Sequence, residues 1–211
     1  MFLVLFFAMM LGAASSLHAD TIYDLTEDHC SGGCGPAGTI FGTVTLHDFG
    51  SGVDVTVHLN SPFVYAKTGA ADNQSFKFNG TGIVLADISI DAHSPALTKN
   101  TGSFNGNGTG AFAFGISCSS CGGGLSGAYS NDIIFHVANA EIEDLTGANA
   151  NGFVFVADVG NPTTGKTGPV GATTPENTTT VVNVPEPASI ALLGIGLIGV
   201  GLAARKKSAK Q

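Results

Sequence analysis

Gly52-Val53-Asp54-Val55-Thr56-Val57-His58-Leu59 alternates apolar and polar residues from Val53 onward without a break. A period of two places Val53, Val55, Val57 and Leu59 on one face of an extended strand and Asp54, Thr56 and His58 on the other. That is the pattern of a sheet with one face in a core and one in water. The preceding segment, Thr39 to His47, is equally rich in β-branched residues, and Asp48-Phe49-Gly50-Ser51-Gly52 between the two reads as a hairpin loop. Closure through Phe49 to Gly52 would set His47 opposite Asp54.

The same reading extends along the chain. Phe63 to Lys67, Ser75 to Phe78, Ile83 to Ile90, Ala111 to Ser117, Asp132 to Ala138 and Gly152 to Val159 are further strand candidates. No amphipathic stretch long enough for a helix lies between Asp20 and Val184. Short strands separated by Gly-rich and Asn-rich breaks predict an all-β domain over residues 20–160, an antiparallel β-sandwich or jelly roll. From Asn161 to Asn183 the chain turns to Pro, Thr and Gly, and residues 161–183 are expected to be a linker.

Charge narrows the functional classes. The whole chain carries -8, but residues 20–183 hold 15 Asp or Glu against four Lys or Arg, a net of -11. An acidic, sparsely charged body lacks the basic patch that nucleic acid or an anionic membrane surface would require.

Four cysteines occur in two close pairs, Cys30 with Cys34 and Cys118 with Cys121. In an oxidising compartment disulfides would be the default, and of the three connectivities the local one is favoured, because each pair sits in Gly-rich sequence able to bend into a small ring. The alternative is a four-thiolate zinc site, since the spacings Cys-x3-Cys and Cys-x2-Cys are ligand-like.

Several constellations invite a chemical reading. His47, Asp54 and His58 fall on the polar face of the expected hairpin with Thr43, Thr45 and Thr56, a conceivable metal or acid-base patch without an identifiable third ligand. Glu141, Glu143 and Asp144 form the densest acidic cluster, and strand alternation would put Glu141 and Glu143 on one face, where paired carboxylates could serve a glycosidase. A solvated sheet edge explains them as well. Asp72-Asn73, and Asp144 with Asn149 and Asn151, offer loop oxygens without the EF-hand spacing, and read as turn formers. Gly194-Ile-Gly196-Leu-Ile-Gly199 matches the dinucleotide fingerprint by letter but lacks a strand before it and chain after it. No nucleophile elbow, phosphate-binding loop or His-Glu-x-x-His occurs. No catalytic residue, cofactor or metal is therefore expected.

The two ends speak of export. Phe2 to Leu11 is an apolar run followed by small residues and Ser16-Leu17-His18-Ala19, so residues 1–19 read as a signal peptide cleaved before Asp20. No Lys or Arg precedes this run, and the natural start is expected upstream of Met1. At the other end Val184-Pro185-Glu186-Pro187 opens the uncharged run Ala188 to Ala204, and Arg205-Lys206-Lys207 closes it. Two prolines start a helix cleanly, and 17 residues at about 1.5 Å each reach roughly 25 Å, just short of a hydrocarbon core. Snorkelling by the basic cluster makes up the difference and orients the C-terminus to the cytoplasm.

These residues closely resemble the PEP-CTERM sorting signal of Gram-negative bacteria, over the last 28 residues, 184–211. The resemblance implies that Val184, Pro185, Glu186 and Pro187, with Arg205, Lys206 and Lys207, form a signal recognised by an exosortase, a membrane protease cleaving near Pro-Glu-Pro. It implies a single transmembrane helix over 188–204, anchoring before processing, and a cell-surface or secreted mature protein associated with exopolysaccharide or biofilm. A non-catalytic surface or matrix protein is the expected function. The alternatives are a carbohydrate-binding module, disfavoured by an inventory of no Trp and three Tyr, and a secreted hydrolase.

Overall fold

The computed structural model describes residues 20–68, 72–175 and 177–178. The expected signal peptide, the tail of residues 184–211 and its 188–204 helix lie outside the described residues. Among the described residues no helix is long and apolar enough to cross a membrane.

The hairpin read from residues 39–59 forms. Gly42–Phe49 and Gly52–Leu59 pair along their whole length, leaving a two-residue loop of Gly50 and Ser51. Gly50 has φ +64°, at the first loop position, where a tight hairpin turn favours glycine. In chain order the strands are β1 (Thr21–Leu25), β2 (Glu27–Asp28), β3 (Gly42–Phe49), β4 (Gly52–Leu59), β5 (Val64–Lys67), β6 (Phe76–Phe78) and β7 (Ile88–Ile90). They continue as β8 (Thr98–Gly106), β9 (Gly110–Ser117), β10 (Gly124–Tyr129), β11 (Ile133–Ala138), β12 (Phe155–Asn161), β13 (Lys166–Ala172) and β14 (Asn177–Thr178).

They form two antiparallel sheets. The first has the order β14-β1-β3-β4-β11-β7. The second is built around β12, which takes β13 on one edge and, on the other, β6 along its first half and β5 along its second. From β6 the sheet continues through β9 to β8, from β5 to β10, and from β13 to β2.

Aromatic rings join the inner faces. Tyr23 of β1 meets Phe155 of β12 edge-on at 5.0 Å, and Phe135 of β11 packs against Phe78 at 5.2 Å and Phe76 at 6.0 Å, both from β6. Because β1 and β11 belong to one sheet and β6 and β12 to the other, these rings lie between the sheets. Val44, Leu46, Val53, Val55 and Val57 line the same core, buried as their alternation requires. The expected all-β class and antiparallel pairing hold for the described body.

Three local expectations need correction. Ile83 to Ile90 is a strand only over Ile88–Ile90, because Leu85–Asp87 forms a 3-10 turn that Asp87 closes by accepting the Val84 N–H at 2.9 Å. Glu141 and Glu143 do not share a strand face, since Ile142–Leu145 is a single helical turn (α1) that buries Ile142 and Leu145. Its entry is fixed by the Glu141 N–H donating to Asp144 Oδ2 at 3.0 Å.

The third correction concerns the linker. Residues 166–172 of the supposed linker are β13, paired to β12 from Lys166 opposite Asn161 to Ala172 opposite Phe155, and to β2 on its other edge. Its glycines serve close approach. A Cβ on Gly168 would lie 2.4 Å from Cys30 Cα, and one on Gly171 would lie 2.4 Å from the Phe153 ring. Pro169, which has no N–H to give, is matched by a neighbour needing only an acceptor: the His29 N–H donates to its carbonyl at 3.0 Å.

Candidate functional site

The outer face of the first sheet carries the candidate hairpin residues. His47 lies directly opposite Asp54, as the hairpin reading required, and Asp54 lies opposite His136 of β11. The three candidates do not converge on one centre. His47 Nδ1 meets Asp20 at 2.5 Å, Asp54 meets His136 Nδ1 at 2.8 Å, and His58 Nδ1 meets Asp132 at 2.7 Å. Each histidine therefore has its own carboxylate, on a face where His47 and His58 are half exposed. This is a row of separate, water-facing pairs.

The cysteines stand at bonding distance within their local pairs. Cys30 and Cys34 have S–S 1.89 Å, and Cys118 and Cys121 have S–S 1.98 Å. With all four sulfurs paired, no thiolate is left for zinc. Asp28, Cys30 and Cys34 are the one group of metal-ligand type among the described residues, but two of its three donors are consumed in the disulfide. The Asp28 carboxylate organises the loop, accepting the N–H groups of Cys30 at 2.9 Å, Cys34 at 2.8 Å and Gly35 at 3.3 Å.

Beside this loop opens a groove of about 550 Å³, lined by His29, Ser31, Thr68, Asn105, Asn107 and Lys166 among others. Its walls come from the Asp28 loop, the β8–β9 turn and the start of β13. The lining is mixed, about half of it apolar surface, and its polar part carries amide, hydroxyl and imidazole groups and one ammonium. Thr68 ties the groove to what lies behind it, because its hydroxyl donates to Asp158 Oδ2 at 2.5 Å.

Behind Thr68 sits a buried polar cluster that no motif announced. Lys77 of β6 has no solvent exposure, and its Nζ lies 2.7 Å from Asp158 Oδ1 and 3.4 Å from Asp72 Oδ2. Asp158, on β12, is also fully buried. Burial pushes its carboxyl above the ordinary value, while the Lys77 ammonium and the Thr68 hydroxyl pull it down and Asp72 adds a further upward push. Asp72, considered a loop oxygen for a cation, instead turns its carboxylate toward Lys77. The signal for this cluster lay in two sequence anomalies. Lys77 stands between Phe76 and Phe78, and Asp158 interrupts the apolar run Phe153 to Val159.

A second concavity, of about 580 Å³, is acidic, with Asp48, Glu141, Glu143 and Asp144 on its walls. Asp144 is committed to the α1 entry described above. Asn149 also acts as a loop clamp, its Oδ1 accepting the N–H groups of Asn151 at 2.9 Å and Phe153 at 3.1 Å.

Val184, Pro185, Glu186, Pro187, Arg205, Lys206 and Lys207 lie outside the described residues. A family model described as the PEP-CTERM protein-sorting motif matches residues 183–207. The chain thus carries this sorting motif, which implies export, anchoring through the C-terminal region and processing by an exosortase-type membrane protease. No curated protein and no solved structure matches the chain.

Proposed function

We propose that the chain is an exported, non-catalytic surface or matrix protein whose acidic body is delivered by exosortase processing and associates with exopolysaccharide. The sorting motif at residues 183–207 carries this reading. The net charge of -11 over residues 20–183 would repel an anionic polymer, so a neutral polymer or one bridged by divalent cations is favoured.

The test compares wild type with a variant in which Pro185, Glu186 and Pro187 are all replaced by Ala, in the native host. Wild type is expected as a released species ending near Val184, and the variant as a membrane-bound precursor. Full-length membrane protein in both strains would refute exosortase sorting.

A second reading, a carbohydrate-binding module, is favoured by the groove beside Thr68. Its amide and hydroxyl side chains offer the paired donors and acceptors that sugar hydroxyls use, though among the described residues no Phe, Tyr or Trp lines it. Binding of the host's own polymer that is abolished by Asn105→Ala with Asn107→Ala would support this reading, and absence of binding to any polymer on a glycan array would remove it.

A further inference from the structure

We infer that Lys77 and Asp158 are the partners of an intramolecular amide cross-link, with Asp72 as the proton-transferring group. An ion pair needs one carboxylate for one ammonium, yet two carboxylates face the Lys77 Nζ, at 2.7 and 3.4 Å, in a site without solvent exposure at Lys77 and with Asp72 only 6% exposed. Fully ionised, the cluster would bury an unbalanced negative charge, which the interior strongly disfavours. Condensation of Lys77 with Asp158 removes one charge of each sign, so the net charge is unchanged, but it takes the buried ion pair out of the interior and gives the Asp72 carboxylate an amide N–H to accept.

The strands hold the reacting groups in place. Lys77 pairs across β6 and β12 with Val156, so Asp158, two residues further along β12, is its diagonal neighbour on the same face. Both backbones are fixed by the sheet, which makes the encounter effectively unimolecular. On the other side Lys77 pairs with Gly115, over which Gln74 lies, its Oε1 2.5 Å from where a Cβ on Gly115 would stand. Val156, fully buried, packs with Phe112 and Phe153 beside the pair. Water is therefore kept from the nitrogen, and a low dielectric favours transfer of the ammonium proton to the carboxylate, giving amine and carboxylic acid.

The chemistry balances without a co-reactant. The neutral Nζ of Lys77 attacks Cγ of the Asp158 carboxylic acid, forming the N–C bond. The Thr68 hydroxyl, hydrogen-bonded to Oδ2, stabilises the negative charge that develops there. Asp72 takes a proton from the nitrogen and passes one to the departing hydroxyl, so that the C–O bond breaks and one water leaves. Asp72 Oδ2 is suited to this, being buried, accepting no hydrogen bond among the described residues and lying within reach of the nitrogen.

Peptide mapping of the purified full chain tests the cross-link directly and is indifferent to how the ends are processed. Trypsin is expected not to cut after Lys77. A branched species joining residues 68–99 to residues 100–166 should appear, about 18 Da lighter than the sum of its parts. Lys77→Arg should restore separate peptides. Asp72→Asn, which leaves both partners in place, should yield folded protein with the cross-link reduced at least tenfold. Folded wild type that cuts cleanly after Lys77 would overturn the inference, and so would a mass loss that persists in Lys77→Arg. Full cross-linking in Asp72→Asn would overturn the assignment of Asp72.

Discussion

Gly168 of β13 runs so close to Cys30 that a methyl group on it would sit 2.4 Å from the Cys30 Cα, with the Cys30 Cβ and backbone nitrogen each at 3.0 Å. The obstruction is mainly backbone held by a disulfide, so neither side can yield cheaply. Gly168→Ala is expected to lower the unfolding free energy by about 2 kcal/mol or more through overpacking. Gly147→Ala, where a Cβ would meet nothing within 4 Å, should stay within about 0.5 kcal/mol of wild type. Urea unfolding of the two variants side by side checks the contrast, and equal stabilities would refute it.

The three tyrosines make alkaline pH a probe of the core. Burial pushes the Tyr129 phenol up to about 12, Tyr65 well above its ordinary value, and Tyr23 upward. A phenol whose folded pKa exceeds its unfolded one binds more protons in the native state over the interval between them. Its stabilising contribution is complete below about pH 10 and is lost as pH rises through 10 toward 12. Absorbance at the phenolate band should therefore stay low at about pH 10 and rise together with unfolding. Independent half-ionisation near pH 10 in the folded protein would contradict the burial described.

Phe78 touches Phe76, Phe114 and Phe135, and through Phe135 it links the two sheets. Phe78→Ala should cost about 3–5 kcal/mol. By contrast His47→Ala and His58→Ala remove half-exposed pairs and should each change stability by less than about 1 kcal/mol. A large loss at either histidine would mean the outer face does more than meet water.

Each disulfide closes a very short ring, with sequence separations of 4 and 3. Chain-entropy reasoning assigns about 2 kcal/mol to a loop of that length. Replacing Cys118 and Cys121 together by Ser should lower stability by about that amount in a denaturant titration. An unaltered midpoint would show that the ring closes no freedom the unfolded chain still has.

How far the chain could be read from its letters varied with how each strand is buried. β4 was legible because one face is wet and the other dry, so its alternation is written in side-chain type. β13 was not, because its Gly168 and Gly171 fit tight approaches to Cys30 and Phe153, and glycine there looks the same as glycine in a flexible tether. β8 was missed because its Thr, Asn, Gly and Ser residues, with only Lys99 and Phe104 among them, are mostly exposed or half-buried and show no apolar alternation. The His47–Asp54 register followed from the hairpin, but the actual partners, Asp20, Asp132 and His136, depend on which strands flank β3 and β4. The Lys77 cluster joins residues 81 positions apart through pairing of β6 with β12. Sheet neighbours of that kind are set by topology, and local periodicity carries no record of them.

β14 meets β1 through Thr21 opposite Thr178 and Ile22 opposite Asn177, so the first and last strands among the described residues lie side by side at the edge of one sheet. With the body held elsewhere, a pull on its C-terminal end would fall first on this two-residue seam. Once it opens, traction passes to β13, which is gripped on both edges by β12 and β2. The seam would act as a mechanical fuse: it gives way under modest force, lengthens the reach of the body by several residues, and leaves the two-sheet core intact.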